Sequence, residues 1–275
     1  MAGLAGNAQI WPTPLRRHCK QLSRWAINMA NEPNNEANRN EAHRNEAGQD
    51  KVNKRLIYGR RQGHRLHKKQ ARLIDEVLPR LTPDVTADNV PADWFAKKCD
   101  DFVLEIGFGG GEHLAARALA HPQSGFIGCE PFLNGVAKLV STIADEGRDN
   151  IAIYQNDART ILDALPDGAL AAVYLLYPDP WPKKRHHKRR FVSAENLAAI
   201  HRVLRPGGLF FLASDIAAYI DWSLIHIGRH GGFEWAAEKA DDWRVPPSDW
   251  PGTRYEAKAL AAGRKPVYLQ FTKTD

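Results

Sequence analysis

The chain has 275 residues, 43% apolar and 25% charged, with 38 Lys and Arg against 32 Asp and Glu for a formal charge of +6. At ~150 residues per domain this is one large domain or two small ones, long enough to bury a core without disulfide or metal staples. Cys19, Cys99 and Cys129 are odd in number and form no CxxC, and the longest apolar run, Ala169 to Tyr177, is about half of the ~20 residues a membrane span needs. Secreted and membrane classes are excluded on this reading, and a reducing, cytoplasmic setting is expected.

Residues 1–30 place Trp11, Leu15, Leu22, Trp25 and Ile27 among basic residues with no acid before Glu32. That suits either a transit-type segment or an over-extended translation start upstream of Met29. Asn31 to Asp50 has no Val, Ile, Leu, Met or aromatic residue and repeats Asn-Glu-Ala at five-residue spacing, so no face can be buried. The expected organisation is a disordered or weakly structured extension over 1–50, a basic segment with a helical lead-in over 51–98, and an α/β domain over 99–275.

From Lys51 to Ile74 there are nine Lys and Arg and no acid, and from Lys183 to Arg190 six more, so the remainder of the chain carries a net −9. Two acid-free basic runs on an acidic protein point to a polyanion, because neutralising phosphates releases counterions. Neither run has the Trp/Phe/Leu face of an interfacial helix, so a membrane surface is the weaker partner.

From about Arg65, Leu66, Leu73, Val77 and Leu81 recur with helical spacing until Pro83. The predicted strands that follow are Phe102–Ile106, Phe126–Cys129, Ile151–Tyr154, Ala171–Tyr177, Leu209–Ala213, Phe233–Trp235 and Val267–Phe271. Helical patterns between them include Glu112–Ala120, Pro131–Glu146 and Ser193–Leu204. Such alternation builds βαβ units and a mostly parallel sheet covered on both faces.

Ile106-Gly107-Phe108-Gly109-Gly110-Gly111-Glu112 is a strand end, a glycine turn and a helix start. In an open parallel sheet such a turn borders the ligand crevice. Glu112 replaces the third glycine of G-x-G-x-x-G, and Glu105 would repel a diphosphate but suit a cation such as S-adenosylmethionine. NAD is the runner-up. Glu130 ends the second strand, where an acid binds ribose hydroxyls, and Asp157 follows the third, placed for the adenine amine.

After the fourth strand comes Tyr177-Pro178-Asp179-Pro180-Trp181-Pro182, followed by the second basic run. The prolines fix φ and stiffen the loop, Asp179 is held between them, and Trp181 offers a face for stacking a base. Acid, aromatic plate and phosphate clamp together form a nucleobase site. His64, His67, His186 and His187 lie among Lys and Arg, which disfavours a cation, and no metal is assigned.

Glu105-Ile106-Gly107-Phe108-Gly109, Pro178-Asp179-Pro180-Trp181 with Lys183 and Arg189-Arg190, Ser214-Asp215, and Thr253-Arg254-Tyr255-Glu256 resemble the bacterial tRNA (guanine-N7)-methyltransferases, from about Leu56 onward. The resemblance implies a Rossmann-like class I methyltransferase domain over 99–275, with seven strands and an antiparallel last one. It implies S-adenosylmethionine as methyl donor and N7 of guanine 46 in the tRNA variable loop as acceptor. Glu105, Gly107, Gly109, Glu130, Asp157 and Asp179 match cofactor-binding positions, and Asp179 also the catalytic one. Lys183, Asp215, Thr253, Arg254, Tyr255 and Glu256 match substrate-binding positions, and Arg185, His186, His187, Lys188, Arg189 and Arg190 the RNA-contacting loop. The partner implied is tRNA, bound by a monomer or a homodimer. An RNA methyltransferase acting on another atom, such as an adenine amine, and a non-catalytic RNA-binding module are the alternatives.

Overall fold

The computed structural model describes residues 58–85 and 90–275; the expected extension over 1–50 and the start of the basic segment lie outside them. The lead-in is two short helices, α1 (Lys68–Glu76) and α2 (Leu78–Leu81), rather than one continuous helix. Val77 caps the first and Pro79 sits in the first turn of the second, where its missing N–H costs nothing.

Seven strands follow: β1 (Asp101–Ile106), β2 (Ser124–Cys129), β3 (Ile151–Tyr154), β4 (Leu170–Leu176), β5 (Leu204–Ser214), β6 (Phe233–Trp235) and β7 (Val267–Lys273). They form one sheet in the order β3-β2-β1-β4-β5-β7-β6, in which β7 runs antiparallel to both β5 and β6. Every residue of β4 is buried, as expected of a central strand covered on both faces. The main helices are α3 (Glu112–Ala120), α4 (Leu133–Glu146), α5 (Ala158–Ala164), α6 (Ala194–Val203) and α7 (Ala217–His230), with short α8 (Asp241–Arg244) and α9 (Arg254–Ala261) before β7.

Two buried clusters fill the faces. One gathers Leu104, Ile106, Leu162, Val173, Leu197, Phe210 and Tyr219; the other gathers Val103, Leu114, Phe126, Leu139, Val140 and Phe211. Successive residues of β1 feed opposite clusters, which is the two-residue period of a strand. The strand order reverses between β1 and β4, so a crevice opens beyond the carboxyl ends of β1 and β4.

The turn after β1 is fitted to the start of α4 without spare space. A Cβ at Gly135 would stand 2.1 Å from the Gly109 carbonyl oxygen, a backbone atom that cannot rotate away. Gly135→Ala must therefore push helix and turn apart. A loss of about 1–3 kcal/mol in urea unfolding is expected, larger than for alanine at an exposed helix position.

Candidate active site

A cleft of about 700 Å3 opens at the carboxyl edge of the sheet. Its floor is the glycine turn, its sides carry Glu130, Asp157 and Asp179, and Trp181 and Arg189 stand at the rim. Gly107, at φ +71, faces this space with nothing within 4 Å of its Cβ position, so any larger residue would both strain the turn and fill the cleft.

Glu130 is 8% exposed, and each of its oxygens accepts a backbone N–H, Oε2 from Gly109 at 2.8 Å and Oε1 from Phe132 at 2.9 Å. Burial pushes its carboxyl above the ordinary range, while the two amides favour the anion. Each oxygen keeps a second lone pair, which is what a vicinal diol requires. Asp157 caps α5 by accepting the Arg159 N–H at 3.0 Å, and the Arg159 guanidinium folds back onto it, with Nε 2.8 Å from Oδ2. A ligand amine reaching Asp157 must share it with Arg159.

Asp179 lies on the stiff loop expected from its prolines. Tyr177 at φ +49 and Trp181 at φ +41 are non-glycine residues in the left-handed region, a strain that surrounding contacts must hold. Tyr177 is thereby turned out of β4, which ends at Leu176 and not at Tyr177 as its apolar run suggests. Arg190 supplies one of the holding contacts. It is 5% exposed, donates from Nε to the Pro180 carbonyl at 2.9 Å, and lies 4.9 Å over the Trp222 ring of α7.

The remaining expected positions separate into two groups. Tyr255 reaches the cleft, its ring covering Gly109, with Cε2 3.0 Å from the Gly109 Cβ position. Lys188, Arg189 and Arg190 also line it, while Lys183 and Arg185 are exposed outside it. Thr253 and Glu256 form a capping box on α9, with Glu256 buried and accepting from Trp250 Nε1 at 2.7 Å and from the Tyr268 hydroxyl. Asp215 is paired with Arg264. Glu105 does not line the cleft; its carboxylate is buried and 2.7 Å from His113 Nδ1, and the His113 ring lies against Tyr174 and Trp250.

Sequence reading missed the strap of residues 58–64. Leu133 N–H donates to the Arg61 carbonyl, Gly63 N–H to Asn134 Oδ1 at 2.7 Å, and Asn134 Nδ2 to the His64 carbonyl, which fastens the strap to the start of α4. Tyr58, Gly59 and Arg60 thereby become a wall of the cleft. Not all of the first basic run remains free, since Lys69 pairs with Asp145 and Arg72 with Glu76.

With this geometry in place, comparison with known proteins decides the family. The family described as "Putative methyltransferase" matches residues 100–269. The tRNA (guanine-N(7)-)-methyltransferase of Agrobacterium fabrum is 52% identical over 221 residues, covering 79% of this chain and 94% of that one. That of Azorhizobium caulinodans is 49% identical over 220 residues, covering 80% and 96%. The chain belongs to the tRNA (guanine-N7)-methyltransferase family.

The crystal structure of the 16S rRNA methyltransferase KamB aligns over 65% of this chain and 90% of that one with a TM-score of 0.50 at 17% identity, which shows a shared class I methyltransferase fold. Family membership implies use of S-adenosylmethionine. Among the described residues no helix is long and apolar enough to cross a membrane, and no group of three His, Cys, Asp or Glu is placed to hold a metal ion.

Desolvation raises the Asp179 carboxyl above its ordinary range, and among the described residues nothing donates a hydrogen bond to it. A carboxylate harder to ionise in the fold than in the unfolded chain destabilises the fold once it is charged. The penalty is full near neutrality and disappears as pH falls through the folded value to the unfolded one, ~3.9. Asp179→Asn is therefore expected to raise the melting temperature at about pH 7, with the gain fading by about pH 4. Thermal unfolding at the two pH values checks this.

Proposed function

We propose that this chain uses S-adenosylmethionine to methylate N7 of guanine 46 in the variable loop of tRNA, in the cytoplasm. The observation that carries the reading is a single shared wall. The acid-lined cleft, shaped for an uncharged ribose and a cationic donor, runs directly into the loop that bears Asp179, Trp181 and the basic run.

The residues present fit the donor. Glu130 offers two preset lone pairs to a ribose, Asp157 offers an acceptor to an adenine amine, and the open face of Gly107 lets the chain of the amino acid lie on the turn. Once bound, the donor supplies an electrophilic methyl group on a sulfonium.

Guanine N7 carries a free in-plane lone pair, so the protein needs no base to remove a proton before attack. Its task is to hold N7 in line with the methyl group, the kind of positioning that alone lowers barriers by several kcal/mol. Positive charge grows on the purine as the bond forms. Asp179, in the cleft wall and without a competing donor among the described residues, is read as the group that stabilises that charge and accepts guanine N1–H and N2–H. Adenine offers no matching donors and would leave the carboxylate unpaired. Asp215, held by Arg264 outside the cleft, is read as a support of the substrate side.

Incubation with unmodified tRNA and the methyl donor, followed by borohydride reduction and aniline scission, should cut the tRNA at guanine 46. Scission elsewhere, or none, overturns the reading. Asp179→Ala is expected to lose most of its turnover at saturating substrate while keeping much of its tRNA affinity; a rate within about threefold of wild type would remove it from the chemistry.

The basic run divides by burial. Arg185→Ala and Lys188→Ala should weaken tRNA binding and reduce its salt slope by about one each. Arg190→Ala should instead lower the unfolding midpoint, because it releases the Pro180 carbonyl and uncovers Trp222.

A further inference from the structure

Arg189 is set apart from the other cations of the cleft. Its guanidinium carbon lies 4.7 Å from the centre of the Tyr58 ring and 5.0 Å from that of Trp181. The two rings stand 6.3 Å apart at 72°, so they form a corner, and a flat cation occupies it. The Nε of Arg189 is buried with no hydrogen-bond partner among the described residues. A buried guanidinium nitrogen without an acceptor is costly, and ring faces return only part of that cost. Arg189 is thus a weakly held occupant of a place built for something flat and positive.

The corner adjoins the reacting group. Gly59, next to Tyr58, has its Cβ position 3.9 Å from Asp179 Oδ2. Tyr58 comes from the strap and Trp181 from the strained loop, so the corner exists only while both segments are in place. Gly59 itself has φ +117, a conformation open to glycine that lets the strap turn sharply beside the acid.

We propose that Tyr58 and Trp181 together seat the target guanine, and that Arg189 leaves the seat for a tRNA phosphate when the substrate docks. This rests on the methyl-transfer reading above. Guanine is neutral on entry and cationic after transfer: the N7–C bond forms as the S–C bond breaks, sulfur keeps the electron pair, and no proton leaves. Ring faces attract a cation more than a neutral purine, so the seat tightens as charge grows, and only interactions stronger in the transition state accelerate the step. The same preference retains the methylated base, and the return of Arg189 to the corner displaces it.

The test compares wild type, Tyr58→Phe, Tyr58→Ala and Arg189→Ala. Turnover on unmodified tRNA, calorimetric affinity for the methyl donor, and binding of 7-methylguanosine and guanosine by tryptophan fluorescence are measured for each. Tyr58→Ala is expected to lose about tenfold in kcat, with Tyr58→Phe within about threefold, because the face and not the hydroxyl does the work. Donor affinity should persist in both, which also reports that they are folded. Wild type should bind 7-methylguanosine more tightly than guanosine, and Tyr58→Ala should lose that preference. Arg189→Ala should bind the free methylated nucleoside more tightly and tRNA more weakly.

Equal affinity of wild type for the two nucleosides, Tyr58→Ala turnover within about twofold of wild type, or weaker nucleoside binding by Arg189→Ala would each overturn the proposal. Wild type that modifies no tRNA guanine would overturn the functional reading instead, and the nucleoside comparison separates the two failures.

Discussion

The cleft depends on one buried carboxylate. Glu130 joins three pieces of chain, the turn after β1, the end of β2 and the approach to α4, by accepting one amide from Gly109 and one from Phe132. Leaving either amide unpaired in a buried place would cost about 1–3 kcal/mol. The fit of Gly135 against the Gly109 carbonyl closes the same junction from the helix side. An acid that looks like a ligand-binding group is thus also the fastening of its own binding site. Binding geometry and fold stability meet in this side chain.

A second constraint is mechanical. Tyr177 and Trp181 hold unfavourable backbone conformations at the two ends of the Asp179 loop, and neighbouring contacts keep them there. Arg190 grips the loop from below through Pro180, and the strap bears on it from above through Tyr58 and Gly59. The two adjacent arginines therefore have unlike surroundings. One is buried structure, and the other faces the cleft between two rings. Sequence position does not distinguish them, because what differs is Trp222, more than thirty residues away on α7.

Much of this was legible in the sequence because strand ends are. Glu130, Asp157 and Asp179 each follow a short β-rich run, and in an α/β alternation those ends share one edge, so they converge without long-range information, whereas Glu195 reaches the cleft from the first turn of α6. Strand bounds were read closely for β3 and β6, whereas β5 extends back through Gly208 and Gly207 to Leu204, ahead of the expected start at Leu209. The side-chain direction of Glu105 was not legible. Strand alternation turns it to the face where His113 waits, and nothing local announces that partner. Thr253 to Glu256 carried its own signal, the T-x-x-E spacing of a capping box, which accounts for the positions of both end residues. The strap was hidden for the opposite reason: a basic run announces charge, and its backbone contacts with Asn134 have no sequence signature.

The sheet order bears on how the protein is made. Among the described residues β6 pairs with β7 alone, and β7 lies between β5 and β6 while being synthesised after both. Until β7 leaves the ribosome, β5 presents an open edge and β6 has no ladder to join. The helix that carries Tyr255 over the glycine turn is translated just before β7. A nascent chain can therefore assemble most of its hydrophobic layers early, yet it becomes competent to enclose a ligand only once β7 has been synthesised, when insertion of a single strand completes both the sheet and the roof of the cleft.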